Sequence, residues 1–356
     1  MRSVNREAEA VRTGVGLCDV STLGKIELVG PDVGSFLDFL YINTMSSLPV
    51  GRTRYGLMLR EDGFAFDDGT VARLAAERWV MTTTTANAPC VLQHMEYVHQ
   101  VLRPELAVAF VSVTDRWAQY AIAGPRARDV VAVLLDPGQD VSDAAFGHMA
   151  CGEVRLLGGL GGRLFRISFS GERGYEIGVP AGFGETLAER IMAAGAPCGI
   201  VPYGLEALSV LRIEKGHPAG GELNGQTTAG DLGFARMMSS RKDFIGRAMA
   251  QRPALLAADR PSLVGLRPVE RDARLRGGAH LLKPDAPAEA AHDEGWITSV
   301  AFSPTLGQWI GLAMLARGPA RLGERVRAFD PLRGGDCVVE VCAPCFIDPQ
   351  GERLRG

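Results

Sequence analysis

The stretch GFAFDDGTV, residues 63–71, places two adjacent carboxylates inside an otherwise apolar, strand-like run. Successive side chains of a strand point to opposite faces, so only one of Asp67 and Asp68 can face a given cleft if the strand continues through both. An Asp-Gly pair between strand-like runs is also typical of a tight hairpin turn, which would leave two solvated acids without a chemical role. Other stretches, further along the chain, favour a chemical role for the pair over this turn.

Composition and charge exclude several classes of function. A chain of 356 residues is long enough for two or three domains with real cores. Its formal charge of -3, with basic and acidic residues interspersed, argues against a nucleic-acid partner. The longest mostly apolar run, residues 191–205, is broken by glycines and prolines and is too short to span a membrane. The N-terminal MRSVNREAEAVR has no apolar core, so we expect a cytoplasmic protein or one of an organelle matrix.

Cysteines, histidines and glycines do not form a metal or nucleotide motif. Seven scattered cysteines indicate free thiols, and the single CxxC, residues 342–345, lacks the second pair of a metal ribbon. His94 and His99 are five residues apart on a predicted helix, too far around it to share one ion, so we interpret them as packing or surface residues. The glycine cluster 158–162 leads into a strand rather than a helix, which predicts a hairpin turn. No strand-GxGxxG-helix for FAD or NAD occurs.

Two segments share one arrangement of elements. Residues 24–40 and 118–135 both predict a strand, a Gly-Pro pair and a helix with one apolar face, which suggests two related α+β modules. Residues 54–85 predict a meander of strands. After a change in composition at 250–262, short strands and turns predict a small β-barrel or sandwich.

Several stretches, met in order, resemble the folate-dependent aminomethyltransferase family, which includes the T-protein of the glycine cleavage system. They are GLCDVSTLGKIEL (16–28), DDG (67–69), SFSGERGYEI (168–177), LRIEKGH (211–217), KDFIGR (242–247) and GWITSVAFSPTLG (295–307). Three further stretches resemble the C-terminal, folate-binding part of the α subunit of heterotetrameric sarcosine oxidase in particular. They are TTTT (82–85), SVTDRWA (112–118) and GHPAGGELNGQTTAGDLG (216–233).

The resemblance implies a three-lobed aminomethyltransferase-like α+β fold of two related α+β modules and a C-terminal β-barrel. On that basis we expect a discontinuous first domain of residues 1–30 with 116–250, a second domain of 31–115 and a barrel of 251–356. The chain begins late relative to the family. We therefore expect a fragment, a subunit of a split gene, or a protein that fills the missing segment differently.

The resemblance also implies roles for four residues. Asp68 matches the aspartate beside the reactive nitrogens of tetrahydrofolate, where a carboxylate holds the amine, relays a proton and stabilises developing positive charge. Glu176 matches the glutamate that accepts two parallel hydrogen bonds from the pterin. Tyr55 would supply an aromatic face, and Phe169 stands where the T-proteins have tyrosine, which keeps the stacking face. Leu208 stands where they have arginine, so one polar contact to the folate is missing or replaced.

The implied function is capture of formaldehyde, or of an iminium from a sarcosine-like N-methyl amine, on tetrahydrofolate to give 5,10-methylenetetrahydrofolate. Flavin oxidase subunits are the implied partners. Two alternatives are a tetrahydrofolate-dependent demethylase and a non-catalytic folate-binding module of an oxidase complex. The iron-sulfur maintenance branch of the family carries a KGCYxGQE-like segment, and the corresponding residues 215–217 here lack its cysteine.

Overall fold

The computed structural model describes residues 2–356, which form two mixed α+β lobes and a barrel. The helices are α1 (Arg2–Thr13), α2 (Val33–Leu40), α3 (Ala88–Tyr97), α4 (Ala127–Leu134), α5 (Gly184–Gly195), α6 (Leu205–Lys215), α7 (Arg247–Ala250) and α8 (Glu352–Arg355). The strands are β1 (Gly16–Asp19), β2 (Gly24–Val29), β3 (Arg52–Leu59), β4 (Ala65–Ala75), β5 (Arg78–Thr83), β6 (Ala109–Ser112), β7 (Trp117–Ala123), β8 (Cys151–Leu156), β9 (Leu160–Phe165), β10 (Gly174–Pro180), β11 (Val201–Pro202), β12 (Pro261–Pro268), β13 (His280–Leu282), β14 (Gly295–Ser303), β15 (Gln308–Ala316), β16 (Arg325–Asp330) and β17 (Gly335–Cys342).

The strands form two open sheets and one closed barrel. The first sheet has the order β11-β1-β7-β10-β9-β8, and the second has the order β3-β4-β5-β2-β6. The barrel closes in the order β12-β15-β14-β13-β16-β17. The predicted α+β fold with a C-terminal β-barrel is therefore confirmed.

Helices cover one face of each open sheet, and α1 and α6 also pack against part of the other face of the first sheet, at Cys18 and Ala123. Helices α4 and α5 pack on the first sheet through a core that includes Val131, Leu187 and Ile177. Helices α2 and α3 pack on the second sheet through a core that includes Phe36, Leu37 and Met95. The apolar spacing of the helices produces these cores, since Val33, Phe36, Leu37 and Leu40 of α2 are all buried, as their spacing predicted.

The opposite faces of the two sheets are turned toward each other, and we call the space between them the inter-sheet cleft. At one edge the sheets join directly, because Arg52 of β3 pairs with Ala150 just before β8. Beside this junction Ala72 packs against Cys151, Phe165 and Ile167. Away from this apolar junction, charged and polar residues of the two sheets line the cleft.

The Asp-Gly pair lies within a strand, so the hairpin-turn alternative is wrong. In β4, Asp68 pairs with Leu57 and Gly69 with Gly56 of β3. A Cβ atom on Gly69 would lie 2.0 Å from the carbonyl oxygen of Thr82. The glycine is required by this close approach of a neighbouring strand and not by a turn.

Other expectations from the sequence can be compared with the sheets. The glycine cluster 158–162 lies at the predicted hairpin, with residues 157–159 in the turn between β8 and β9 and residues 160–162 in β9. Strand β2 pairs with β5 and β6 of the second sheet, although the domain boundary was expected at residue 30. The three-domain division therefore stays a prediction, and sheet membership favours a boundary before residue 24. Within residues 2–356 no helix has the length and apolarity to cross a bilayer.

Candidate functional site

Asp68 and Tyr55 meet on the cleft face of the second sheet. The hydroxyl of Tyr55 donates a hydrogen bond to Oδ2 of Asp68 over 2.9 Å. Burial raises the pKa of Asp68 to about 6, the hydrogen bond from Tyr55 opposes this, and the charge of Asp67 adds to it. A carboxylate with this pKa is mostly ionised at neutral pH and can still take up a proton readily.

Tyr55 is held both at its ring and at its backbone. It meets the ring of Phe234 edge to face at a centroid distance of 5.7 Å, and the side-chain amide of Asn43 donates to the Tyr55 carbonyl oxygen over 2.8 Å. Burial, and then the charge of Asp68, raise the pKa of Tyr55 far above its usual value. The phenol therefore stays neutral and acts as a fixed donor.

Asp67 points to the opposite face of β4. Its carboxylate accepts hydrogen bonds from the backbone N–H of Thr84 over 3.3 Å and from the Asn87 amide over 3.2 Å. Burial raises its pKa, and these donors lower it. Asp67 thus fastens β4 to the chain that enters α3, and only Asp68 of the pair faces the cleft.

Glu176 lies in β10, on the cleft face of the first sheet. It is 9% exposed, and its Oε2 accepts a hydrogen bond from the Gln119 amide of the neighbouring strand β7. Burial raises the pKa of Glu176, while the hydrogen bond from Gln119 and the charge of Lys25 lower it. Its Oε1 accepts no hydrogen bond from residues 2–356, so the carboxylate keeps an oxygen for a donor from outside the protein.

Strand register relates the two carboxylates. Glu27 of β2 forms an ion pair with Arg163 of β9, at 2.5 Å from Oε2 to Nη2, across the cleft. Arg163 pairs with Gly178, which is two residues beyond Glu176 and on the same face of its sheet. Glu176 and Asp68 therefore lie on facing sheets, with no hydrogen bond between them in the described part of the chain.

Phe169 occupies the loop between β9 and β10. It is 40% exposed, and its ring stacks on the imidazole of His217 at a centroid distance of 5.7 Å. Nδ1 of His217 lies 3.0 Å from the carbonyl oxygen of Phe169 and donates to it, because a carbonyl can only accept. Burial lowers the pKa of His217 to about 4, so this ring is neutral. In the sequence His217 appeared only as a member of the quoted stretches, and its support of Phe169 was not foreseen.

Lys25 was also missed by sequence reasoning. Its side chain is almost completely buried and its Nζ donates to the carbonyl oxygens of Ser21 and Leu23, both over 2.9 Å. Lys25 precedes Ile26 and Glu27 in an alternating strand pattern, which is typical of a solvated lysine. Lys25 is buried because the first sheet, built mostly from strands far along the chain, covers it.

Leu208 makes no polar contact at the site. It packs against the apolar cluster shared by α1, α6 and the barrel. The expected loss or replacement of one polar contact to the folate at this position stays a prediction. Two surface clefts, one beside Lys283 and Arg325 and one beside Met238 and Arg247, include none of the four predicted site residues.

The donor set suits an organic ring better than a metal ion. Among residues 2–356 no three His, Cys, Asp or Glu side chains gather as metal ligands would. The cleft instead offers two separated carboxylates, each with one neutral side-chain partner, and the ring of Tyr55 beside one of them. Such a site can accept hydrogen bonds from a flat, donor-rich heterocycle and exchange a proton with it.

Comparison with known proteins identifies two families of domain in the chain. Residues 1–242 match the GCVT N-terminal domain, and residues 262–348 match the glycine cleavage T-protein C-terminal barrel domain. The chain is 52% identical to sarcosine oxidase subunit alpha of Rhizobium meliloti, over 99% of its own length and 36% of that protein's. It is 33% identical to the aminomethyltransferase of Saccharopolyspora erythraea, over 96% of its own length and 89% of that protein's.

A solved structure confirms the fold. The glycine cleavage system aminomethyltransferase T from Bartonella henselae matches with a TM-score of 0.83 at 24% identity, over 97% of this chain and 90% of that chain. The aminomethyltransferase-like fold expected from the sequence is thus confirmed. The chain spans little more than a third of the length of the sarcosine oxidase subunits that it matches.

Proposed function

The chain belongs to the glycine cleavage T-protein (GCVT) family, and from this premise we propose that it transfers one-carbon units to tetrahydrofolate bound in the inter-sheet cleft. The observation that carries this proposal is the pair of carboxylates, Asp68 and Glu176, on facing sheets with neutral side-chain partners. Asp68, with a pKa of about 6, suits proton transfer near neutral pH. Glu176, with a free oxygen, suits recognition of a ring that carries donors.

Glu176 would hold the pterin. The 2-amino group and the N3–H of a pterin are parallel donors, and a carboxylate accepts such a pair in fork geometry. The hydrogen bond from Gln119 fixes the orientation of the carboxylate and leaves lone pairs on both oxygens. Tyr55 and Phe169 offer aromatic faces for the flat ring system. The placement of all four residues around one ligand is part of the proposal.

Asp68 would move the proton. Tetrahydrofolate supplies two amine nitrogens, N5 and N10, that take up the one-carbon unit. With formaldehyde, two N–C bonds form, the C=O bond breaks, and its oxygen leaves as water with the two amine protons. Asp68 accepts a proton in this exchange and returns it to the departing oxygen, while Tyr55 keeps Oδ2 oriented.

A partner enzyme would supply the one-carbon unit. The relative from Rhizobium meliloti is named as a subunit of sarcosine oxidase. Sarcosine is an N-methyl amine, so this name supports oxidation of such an amine close to the domain. We propose that flavin oxidase subunits deliver formaldehyde, or the iminium of the amine, to the cleft. We also propose a cytoplasmic location, since all seven cysteines are free thiols, as in reducing compartments.

Calorimetric titration with tetrahydrofolate under anaerobic conditions tests the proposal. We expect saturable binding in the micromolar range, and a 10- to 100-fold loss in Glu176→Gln, which removes the charged acceptor. Formaldehyde is then added and the product identified, with 5,10-methylenetetrahydrofolate expected. Absence of binding at high micromolar concentration would overturn the proposal. Binding without turnover would favour a non-catalytic module, and a methyl product from a methyl donor would favour a demethylase.

A further inference from the structure

Lys25 has an unused donor in the wall of the inter-sheet cleft. The residue is 2% exposed, and two of its three N–H groups donate to the carbonyl oxygens of Ser21 and Leu23. Within residues 2–356 the third N–H has no hydrogen-bond partner, and no carboxylate lies within ion-pair distance of Nζ. A buried ammonium is costly unless it is fully paired, so this arrangement is poised for an acceptor that the protein itself does not supply.

An ion pair across the cleft connects the strand of Lys25 with the sheet of Glu176. Glu27, two residues beyond Lys25 on the same face, reaches Arg163 across the cleft. Arg163 pairs with Gly178, two residues beyond Glu176 on its face. Lys25 and Glu176 therefore each lie two residues from an end of this bridge, on the cleft faces of their strands, and the charge of each shifts the pKa of the other.

A series of hydrogen bonds through Ser21 and Gln119 also connects Lys25 with Glu176. Lys25 holds the carbonyl oxygen of Ser21, and the hydroxyl of Ser21 accepts a hydrogen bond from the backbone N–H of Gln119 over 2.9 Å. The Gln119 amide in turn donates to Glu176. Burial lowers the pKa of Lys25 to about 8, and the nearby charge of Glu176 opposes that change. The ammonium and the carboxylate thus form one polar wall.

We propose that Lys25 is a substrate-binding residue whose third N–H donates to the carbonyl oxygen at position 4 of the pterin. This inference rests on the proposed function. A pterin edge presents the 2-amino group, N3–H and the 4-carbonyl oxygen in that order, which is two donors followed by one acceptor. Glu176 accepts from the two donors, and the ammonium beside it completes the match. The wall thereby selects 4-oxo pterins over 4-amino pterins, whose amino group would face a cation.

Two ligands that differ at position 4 test this directly. Tetrahydrofolate and tetrahydroaminopterin, its 4-amino analogue, are titrated into the native protein and into Lys25→Met. We expect the native protein to prefer tetrahydrofolate by at least 10-fold. In Lys25→Met we expect affinity for tetrahydrofolate to fall 10- to 100-fold, as for loss of a hydrogen bond from a charged donor, and the preference to shrink correspondingly. The analogue also lacks N3–H, but that difference is the same in both proteins.

Lys242→Met is the matched control. Lys242 also donates to two backbone carbonyl oxygens, those of Asp38 and Tyr41, and burial lowers its pKa to about 8 as well. It lies at the end of α2, away from Glu176. Its loss is expected to lower thermal stability without changing the preference between the two ligands.

The outcomes separate this inference from the proposed function. Equal affinity of the native protein for both ligands would overturn the role of Lys25, whether or not Lys25→Met folds. An equal fall for both ligands in Lys25→Met would likewise show that Lys25 only supports the turn at residues 20–23. Tetrahydrofolate binding persists in both cases, so the proposed function stands. Failure of either ligand to bind the native protein would overturn the proposed function itself.

Discussion

Two regions of this protein bury charge in opposite ways. Beneath α1, Arg12 lies between Glu172 and Glu214 at 2.8 and 2.7 Å, and their side chains are at most 3% exposed. Arg353 adds a second cation at 2.9 Å from Glu172, and the Ser303 hydroxyl donates to Glu214. In the inter-sheet cleft, by contrast, Asp68 and Glu176 take their side-chain hydrogen bonds from neutral groups, the Tyr55 hydroxyl and the Gln119 amide. The first region neutralises its charges internally, whereas the second leaves capacity for a ligand.

The difference indicates what each region is for. A buried, fully paired cluster holds elements in register, and breaking it leaves an uncompensated charge. Burial of Asp68 and Glu176 without a cation in contact raises their pKa values, which costs the folded protein stability at neutral pH. A ligand that donates hydrogen bonds would recover that cost, and carboxylates of this kind are typical of functional sites. Substitutions in the two regions should therefore affect different properties.

The largest effect is expected from Asp68→Asn. The amide keeps the size of the side chain and can still accept from Tyr55, but it cannot take up a proton. We expect formation of 5,10-methylenetetrahydrofolate to slow by about 10²- to 10⁴-fold, the range for loss of a general acid-base group. Steady-state turnover with formaldehyde, combined with titration of tetrahydrofolate, measures the effect on each step.

Asp67→Asn is the control for this variant. Asp67 is the neighbouring carboxylate of the same strand but binds Thr84 and Asn87 on the other face. Its substitution should alter turnover by no more than about threefold, because it removes only a neighbouring charge that contributes less to the raised pKa of Asp68 than burial does. If both variants lose turnover equally, the loss reflects disturbance of strand β4 rather than removal of the cleft carboxylate. The proposed difference between the two faces of the strand would then be wrong.

The next effect belongs to the other region. Arg12→Met should lower the free energy of unfolding by about 3–5 kcal/mol, since two buried carboxylates lose their shared cation. Urea unfolding followed by circular dichroism measures this loss, and the double variant Arg12→Met/Glu214→Gln should regain part of it. Affinity for tetrahydrofolate should be unchanged where the variant is folded. A loss below 1 kcal/mol would show that the cluster is not the structural element we describe.

The contrast also explains what could be predicted from sequence. Spacing was enough for the helix faces of α2 and for the hairpin at 158–162, because both depend on neighbours in the chain. Gly69 misled the local argument, since the approach of Thr82 that demands it comes from another strand. The alternating pattern around Lys25 and Glu27 is typical of solvated residues, because most strands of the sheet that covers them, from β7 onward, lie about 90 residues or more further along the chain.

The site was predictable only in part, for the same reason. The alternation of β4 predicted that only one of the two aspartates could face a cleft. Which of them does so follows only from the structure. Glu176 was named through the family resemblance, whereas its partner Gln119 lies 57 residues away and belongs to no recognised motif. Residues that act through long-range contacts leave no periodic signal in the chain. The domain boundary was placed near residue 30 without knowledge of the pairing of β2 with β5, which is also a long-range contact.

The smallest effect concerns the tuning of Asp68 by its one side-chain donor. Tyr55→Phe keeps the ring against Phe234 but removes the hydrogen bond that stabilises ionised Asp68. Because the charged form loses support, the pKa of Asp68 should rise above its native value of about 6. The base is active when ionised, so turnover rises with pH through this pKa, and the acid limb of the profile should move about one pH unit upward. Above roughly pH 8.5 the variant should approach native turnover.

Tyr41→Phe sharpens this measurement. Tyr41 is a buried tyrosine whose pKa is raised by burial and by the charges of Asp67 and Asp68, but its hydroxyl donates to neither. Removing that hydroxyl should leave the acid limb close to its native position, while Tyr55→Phe displaces it. An acid limb that stays in place in Tyr55→Phe, or moves to lower pH, would show that the titrating group is not Asp68. The cleft would then lose the property that distinguishes it from the Arg12 cluster. That property is a carboxylate whose pKa is raised by burial toward neutral pH and is opposed by one neutral side-chain donor.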